Sequence, residues 1–254
     1  MLFRSSPLTL DGVPESLPPV TGQLGRRSGR GSRSNSRLND ALYADWAQEF
    51  GIKYHFVNVF NAYREAAKGE GAIGRQNIDQ TSTTGLLLAP INPKALSEPA
   101  VYLGLIATAA ALVYNYNQVI RTAGALPPSR PLNAHSQTLY DITYLGIFPL
   151  GSAAPEEMFY RGFLQHEFYA MSRTPYFSVP LSTAAYAFSH SQEDRPSAAV
   201  TGIFLGILTH AKGGALSPGI AYHFWANVMA GLYQIALQRK SSGTKPLIDL
   251  SFPF

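Results

Sequence analysis

The sequence predicts an all-α fold: a polytopic transmembrane helical bundle preceded by an N-terminal extension that is disordered or partly helical. Charged residues make up only 14% of the chain and hydrophobic residues 46%, whereas an ordinary soluble domain carries roughly 25% charged residues. The mean hydropathy of -0.03 is nevertheless too low for a chain embedded in lipid throughout. These values agree if polar and apolar segments are separated along the chain, and the sequence shows this separation.

Residues 1–38 are predicted to form a disordered basic arm. Several prolines are followed by an arginine tract interleaved with glycine and serine, Arg26, Arg27, Arg30, Arg33 and Arg37. Such a composition buries too little apolar surface to fold by itself. A basic tract of this kind can bind nucleic acid or anionic lipid headgroups. We interpret it as a solvated arm and expect no nucleic-acid partner.

Residues 39–97 are predicted to form a partly helical extension. A first helix, which Asn39 or Asp40 could cap, has apolar residues at helical spacing, Leu42, Trp46 and Phe50. A second helix over residues 55–68 carries aromatic residues on one side, Phe56, Phe60 and Tyr63. The turn-rich residues 69–97 suggest contact with the membrane surface or packing, and they contain no apparent catalytic residue.

Residues 98–240 are predicted to form the membrane core, and residues 241–254 a C-terminal tail. Pro99 suits the first turn of a helix that runs to about Gln118. Further apolar segments follow at 139–154, 177–188, 198–209 and 216–237. Several are shorter than the roughly 20 residues that a lone span needs, so a soluble α-protein is the alternative. The GxxxG pair Gly202 and Gly206 favours an integral membrane protein in contact with lipid.

The first of three polar clusters within apolar surroundings covers residues 155–162. Because proline suits the first turn of a helix, Pro155 would place Glu156 and Glu157 near a helix N-terminus, where negative charge is favoured. Glu157 and Arg161 are four residues apart and can pair on one helical face. The carboxylate of Glu156 would then point elsewhere.

The second and third clusters place polar residues within apolar surroundings. His190 ends the string YAFSH, at the end of a predicted helix, and the four-residue spacing of His223 and Asn227 stacks them on one helical face. Each cluster taken alone has a structural explanation, such as a hydrogen-bonded helix-end histidine or a surface salt bridge. Their ordered combination is the informative feature.

The three clusters together resemble the motifs of the CAAX protease and bacteriocin-processing family, which includes the type II CAAX prenyl endopeptidases. The string EEMFYRG resembles the family's EExxxR motif, and HFWAN matches its HxxxN motif. YAFSH is similar to its FxxxH motif, with Tyr186 in place of phenylalanine. The resemblance covers about residues 139–237, with all three motifs in order.

The resemblance implies an intramembrane endopeptidase acting on a peptide or protein substrate, which could be lipidated or membrane-anchored. It implies that Glu156 is the general base that activates a water and that His190 holds this water. It implies that His223 and Asn227 donate hydrogen bonds to the oxyanion. Glu157 and Arg161 would support the motif helix. Oxyanion donors in a water-poor cavity are typically worth about 3–4 kcal/mol each.

A zinc mechanism is the alternative use of the same residues. Glu156, His190 and His223 could supply two histidines and a carboxylate, which leaves one coordination position open. No HExxH string is present, and the absence of cysteine excludes thiolate ligands, disulfides and a cysteine nucleophile. The resemblance favours a glutamate mechanism with no cofactor, and zinc remains the alternative.

Two classes of non-protease also fit the clusters. A non-catalytic membrane scaffold or immunity-type protein would retain the motif residues because buried Glu–Arg and His–Asn pairs hold helices in register. A proton-coupled transporter would use intramembrane glutamate and histidine residues as a proton relay. Substitution of Glu156 by glutamine separates the protease from the scaffold.

Overall fold

The computed structural model describes residues 28–69, 78–122 and 131–244, and over these residues it contains helices and no strands. The predicted all-α class is therefore confirmed for the described part of the chain. The helices are α1 Ser28–Gly69, α2 Thr83–Leu87, α3 Pro93–Leu96, α4 Pro99–Thr122, α5 Ala134–Ile142, α6 Phe148–Glu156, α7 Gln165–Ser172, α8 Pro175–Phe188, α9 Arg195–Ala211 and α10 Ser217–Ser241, with a 3₁₀ turn at Ala89–Ile91.

The N-terminal helix is longer than the sequence predicts. The two helices expected within residues 39–68 form one helix, α1, which begins at Ser28, inside the arm predicted to be disordered. A single glycine such as Gly51 costs a helix only about 1 kcal/mol, and burial of Leu42 and Phe60 on either side of it offsets this cost. Residues 1–27 of the arm and residues 245–254 of the tail lie outside the described residues.

Helices α5, α6 and α7 are consecutive parts of one helical rod, residues 134–172. They are joined by π-helical turns at Thr143–Ile147 and Glu157–Leu164. Pro155 lies inside this rod, so the prediction that it opens a helix is wrong. Proline removes one hydrogen bond of the helical ladder, yet the rod continues through Pro155 into the π turn that begins at Glu157. Glu156 and Glu157 consequently lie in the middle of a helix.

Packing brings the rod and α10 to the centre of the molecule. α10 packs against α4, α6 and the first π turn, and α1 packs along α6 and the second π turn. The core cluster at this junction joins Phe60 of α1, Met158 of the rod and Ile220 of α10, all of them fully buried. The bundle thus holds α1, the rod and α10 in fixed relative positions.

The predicted small-residue pair lies at a helix contact. A Cβ atom on Gly202 of α9 would come within 2.8 Å of Thr183 on α8, and one on Gly206 within 2.8 Å of Val179. The two glycines therefore permit the close approach of α8 and α9, the pair of helices with the most extensive contact.

Replacing Gly231 by alanine is expected to destabilise the protein by about 1–3 kcal/mol, because the new methyl group overlaps the backbone carbonyl of Tyr144 in the first π turn. The backbone of a packed helix cannot rotate away, so α10 has to move. Thermal unfolding in detergent measures the effect. The control is Gly146→Ala, since a Cβ atom at Gly146 meets nothing within 4 Å; equal melting temperatures for the two variants would contradict the expectation.

The outer surface carries the apolar faces expected of a membrane protein. Within the described residues one helix, Pro99–Arg121, is long and apolar enough to cross a membrane, and only 22% of its apolar window is buried. The core helix of a soluble protein would be mostly buried. Large apolar side chains are exposed on three helices, Tyr102, Leu103, Ile106 and Tyr114 on α4, Phe177, Leu181 and Phe188 on α8, and Val200, Ile203 and Ile207 on α9. Extensive exposed apolar surfaces are rare on soluble monomers.

Candidate active site

The three sequence motifs meet at one cavity. This cavity has a volume of about 470 Å³ and lies between α1, the rod, α10 and the chain that follows α8. Glu156, His190 and Asn227 all line it. His223, Glu157 and Arg161 lie directly behind its wall, where all three side chains are buried. Every site residue predicted from the sequence therefore belongs to the same small region.

Glu156 is the last residue of α6 and is almost completely buried, with 4% of its surface exposed. Its Oε1 accepts a hydrogen bond from the ammonium group of Lys53 on α1. Its Oε2 is buried and accepts no hydrogen bond from any described residue. Since ionised carboxylates bind several donors when buried, an unpartnered oxygen beside a cavity is where a water or substrate group would bind.

His223 lies between the two glutamates of the first motif. Its Nδ1 donates to Glu157 Oε1 at 2.9 Å, while its Nε2 lies 3.7 Å from Glu156 Oε2 and 3.5 Å from the hydroxyl of Tyr186. The bond to Glu157 fixes the orientation of the ring. With Nδ1 already donating, Nε2 can donate only when the ring is an imidazolium.

Glu157 and Arg161 form the ion pair that their spacing predicts. Arg161 Nη1 donates to Glu157 Oε1 at 3.1 Å, and the two side chains are 0% and 1% exposed. The guanidinium also donates to the carbonyl of Gly202 at 3.3 Å and stacks 4.4 Å from the ring centre of Tyr186. The pair thereby connects the rod to α9, α8 and, through His223, to α10.

The second π turn is stabilised from within the rod. His166 Nδ1 donates to the carbonyl of Arg161, five residues earlier, at 2.9 Å. This side chain satisfies a carbonyl at the widened turn, where single π turns are often found at functional sites. The turn keeps Glu157 and Arg161 on the buried side while Glu156, one residue earlier, faces the cavity.

His190 follows the C-terminus of α8 and is half-buried. Its Nδ1 lies 2.7 Å from the carbonyl of Tyr186, to which it donates. Nε2 of the neutral ring is then the acceptor. Its position on the cavity wall allows Nε2 to accept a hydrogen bond from a water in the cavity.

Asn227 lies one helical turn after His223 on α10, as the sequence predicts. It lines the cavity, and its Oδ1 is buried without a hydrogen bond from the described residues. The carbonyl oxygen of this amide therefore makes no hydrogen bond that would join α10 to a neighbouring helix. It remains able to contact a substrate.

α1 contributes to this cavity charged residues that the sequence motifs do not predict. Lys53 lies 3.8 Å from Glu49 Oε1 in addition to its bond with Glu156, and Ser152 donates to Glu49 at 2.7 Å. One sequence signal could have found this face: Glu49, Lys53, Phe56 and Phe60 follow each other at intervals of four, three and four residues. That spacing places two charges on the same side of α1 as the aromatic residues that anchor it.

The alternative zinc ligands Glu156, His190 and His223 lie at or beside the same cavity. Among the described residues no three histidine, aspartate or glutamate side chains are arranged to hold a metal ion. Oε1 of Glu156 is bonded to the ammonium group of Lys53. Hydrolysis measured before and after treatment with a chelator tests whether the reaction depends on zinc.

Residues 138–229 match the sequence model of a known family, described as type II CAAX prenyl endopeptidase Rce1-like. No curated protein and no solved structure matches the chain. The matched segment contains all three motifs, from Glu156 to Asn227. It excludes α1 and α4.

Proposed function

We propose that this chain, which belongs through residues 138–229 to the Rce1-like CAAX protease family, is an integral membrane endopeptidase that uses Glu156 as its general base. The family consists of membrane proteases that act on peptide or protein substrates. The proposal for this chain adds the roles of individual residues and the position of the reaction at the cavity between α1, the rod and α10.

In the proposed reaction Glu156 Oε2 takes a proton from a water that His190 Nε2 orients. The water oxygen forms a bond to the peptide carbonyl carbon, and the carbonyl oxygen becomes an oxyanion. His223, as the imidazolium, donates through Nε2 to this oxyanion, and the amide of Asn227 donates a second hydrogen bond. The C–N bond then breaks as Glu156 returns the proton to the leaving nitrogen, which restores the carboxylate.

One observation carries the proposal: residues from three separated motifs converge on a cavity beside a carboxylate oxygen of Glu156 that accepts no hydrogen bond from the described residues. Glu156, His190 and Asn227 line the cavity, and His223 Nε2 lies 3.7 Å from Glu156 Oε2. The volume of about 470 Å³ falls in the range of roughly 300–1,000 Å³ typical of small-molecule pockets. It is large enough for a water and a short peptide segment.

The integral membrane location is supported by the outer faces of the helices. α4, α8 and α9 expose rows of large apolar side chains, whereas the polar motif residues lie inside the bundle. This distribution is the one expected for a polar site enclosed by lipid-facing helices. A substrate with a lipid or membrane anchor would reach such a site from the bilayer.

A direct test uses the full-length protein in lipid vesicles and a prenylated CAAX peptide with a fluorophore and quencher on opposite sides of the expected bond. Asn227→Leu, which keeps the shape and removes the donor, is expected to lower kcat by about 10²–10³-fold. The control is Asn115→Leu, because the Asn115 amide donates within α4 to the carbonyl of Ala111. Hydrolysis by Asn227→Leu at the wild-type rate would overturn the oxyanion role.

The same assay tests whether hydrolysis depends on zinc. Hydrolysis by the proposed glutamate mechanism proceeds at an unchanged rate after dialysis against a chelator. A loss of activity that added zinc restores would instead support Glu156, His190 and His223 as metal ligands.

A scaffold without activity is the second candidate function, and one observation favours it. Glu157, Arg161 and His223 form a fully buried network that connects four helices, and such a network would be needed for structure alone. It does not, however, require the unpartnered oxygen of Glu156 or a cavity beside it. The substitution of Glu156 discussed below separates the two functions.

A further inference from the structure

A lysine from outside the family segment forms part of the proposed site. Lys53 of α1 donates to Glu156 Oε1, and its side chain is only 16% exposed. Its ammonium group also lies 3.8 Å from Glu49 Oε1 and 5.4 Å from the ring centre of Phe56. A buried ammonium group therefore faces two carboxylates on the wall of the cavity.

The packing of α1 fixes the position of this lysine. Phe56, three residues later, stacks on Phe159 of the rod with ring centres 4.3 Å apart and planes 10° apart. Phe60 is fully buried and lies against Gly162, where a Cβ atom would overlap its ring. At the other end, Trp46 Nε1 donates to Thr143 Oγ1 at 2.8 Å. α1 is thus anchored to the rod on both sides of Lys53.

The bond to Lys53 makes the two oxygens of Glu156 different. Oε1 is bonded to the ammonium group, while Oε2 is buried without a partner and lies 3.7 Å from His223 Nε2. A carboxylate held at one oxygen can rotate little about its terminal bond. The other oxygen then keeps a constant direction, which a general base needs in order to meet a water at hydrogen-bond distance.

We propose that Lys53 is a positioning residue of the active site, which holds Glu156 by Oε1 so that Oε2 faces the attacking water. The inference rests on the proposed function, and it extends the site to a helix that the family segment does not contain. Lys53 acts through Glu156, and the proposal gives it no contact with substrate. Glu49 and Phe56 keep its ammonium group in place from the α1 side.

The test compares Lys53→Met with wild type in the vesicle assay. Lys53→Met is expected to lower kcat by about 10–100-fold and to leave KM within about twofold, because misdirection of the base slows chemistry without weakening substrate binding. Lys53→Arg, which restores a donor, is expected to recover most of kcat. The proposal would be overturned if kcat of Lys53→Met were unchanged or raised. It would also be overturned if kcat/KM fell only because KM rose.

Two controls separate positioning from folding and from the proposed function itself. Lys212→Met removes another lysine–glutamate ion pair, the one with Glu98 that joins the end of α9 to the start of α4, and it is expected to leave kcat unchanged. If Lys53→Met lowers the melting temperature, recovery of kcat by Lys53→Arg still supports positioning, and no recovery overturns it. If Glu156→Gln is inactive while Lys53→Met, as a separate variant, is fully active, this inference is overturned and the proposed function still stands.

Discussion

Replacement of Glu156 by glutamine is expected to abolish hydrolysis of the peptide bond while the protein remains folded. Glutamine has nearly the same shape and can still accept a hydrogen bond from Lys53, but its amide cannot take a proton from water. General acid–base catalysis contributes about 10²–10⁴-fold, and here one group serves both as base and as acid. We therefore expect kcat to fall by about 10⁴-fold, measured in lipid vesicles with the prenylated peptide.

The matched control for this substitution is Glu49→Gln. Glu49 lines the same cavity and accepts from Ser152 at 2.7 Å. It contacts neither the water nor the substrate in the proposed reaction, and glutamine keeps an oxygen that can face Ser152 and Lys53. Its substitution is expected to leave kcat within several-fold of wild type. Equal losses in the two variants would show that the cavity needs negative charge in general and not a base at Glu156.

Removal of the guanidinium of Arg161 is expected to cause the largest loss of stability. In Arg161→Met the carboxylate of Glu157 stays buried without the guanidinium and keeps only the hydrogen bond from His223. Breaking a buried pair in this way costs about 3–5 kcal/mol. The pair is 0% and 1% exposed, so water cannot replace the lost partner. Thermal unfolding in detergent, followed by circular dichroism, measures the effect.

Two further variants test the reason for this loss. Arg239→Met breaks the Arg239–Asp141 pair, whose side chains are 20% and 22% exposed, and is expected to cost less than about 1 kcal/mol. The double variant Glu157→Gln, Arg161→Met removes both charges and is expected to be more stable than Arg161→Met alone. A melting temperature for Arg161→Met equal to that of wild type would contradict the structural role of the pair.

The pairing of motif residues on one helical face could be predicted because it depends on local spacing. A spacing of four residues, as from His223 to Asn227 and from Glu157 to Arg161, corresponds to about one turn of helix, and both pairs lie in helical segments. The apolar segments that became α8, α9 and α10 were recognisable for the same reason. Local periodicity is sufficient to predict helical segments and pairs of residues on one helical face.

The interior of the rod could not be predicted, because distant residues decide it. Pro155 is typical of a first helical turn, yet packing against α1 and α10 keeps the rod continuous through it. His166 Nδ1 supports the second π turn at the carbonyl of Arg161. Neither the π turns nor this hydrogen bond leaves a periodic signal in the sequence.

The contribution of α1 was hidden for a related reason. Glu49, Lys53, Phe56 and Phe60 share one face of a helix, and this much is visible from their spacing. Their partner is not, since Lys53 and Glu156 are 103 residues apart and only the folded bundle brings them together. The side chain that holds the proposed base therefore comes from a part of the chain in which no motif is present.

The central claim is tested most directly by comparing the protein termini of membrane fractions from cells that carry wild type or Glu156→Gln at matched expression. The account predicts that a specific set of new N- or C-termini is present with wild type and disappears with the variant, and these termini name the substrate and the cleaved bond. Identical termini, together with rescue of the deletion phenotype by a normally inserted Glu156→Gln protein, would contradict the protease and support the scaffold.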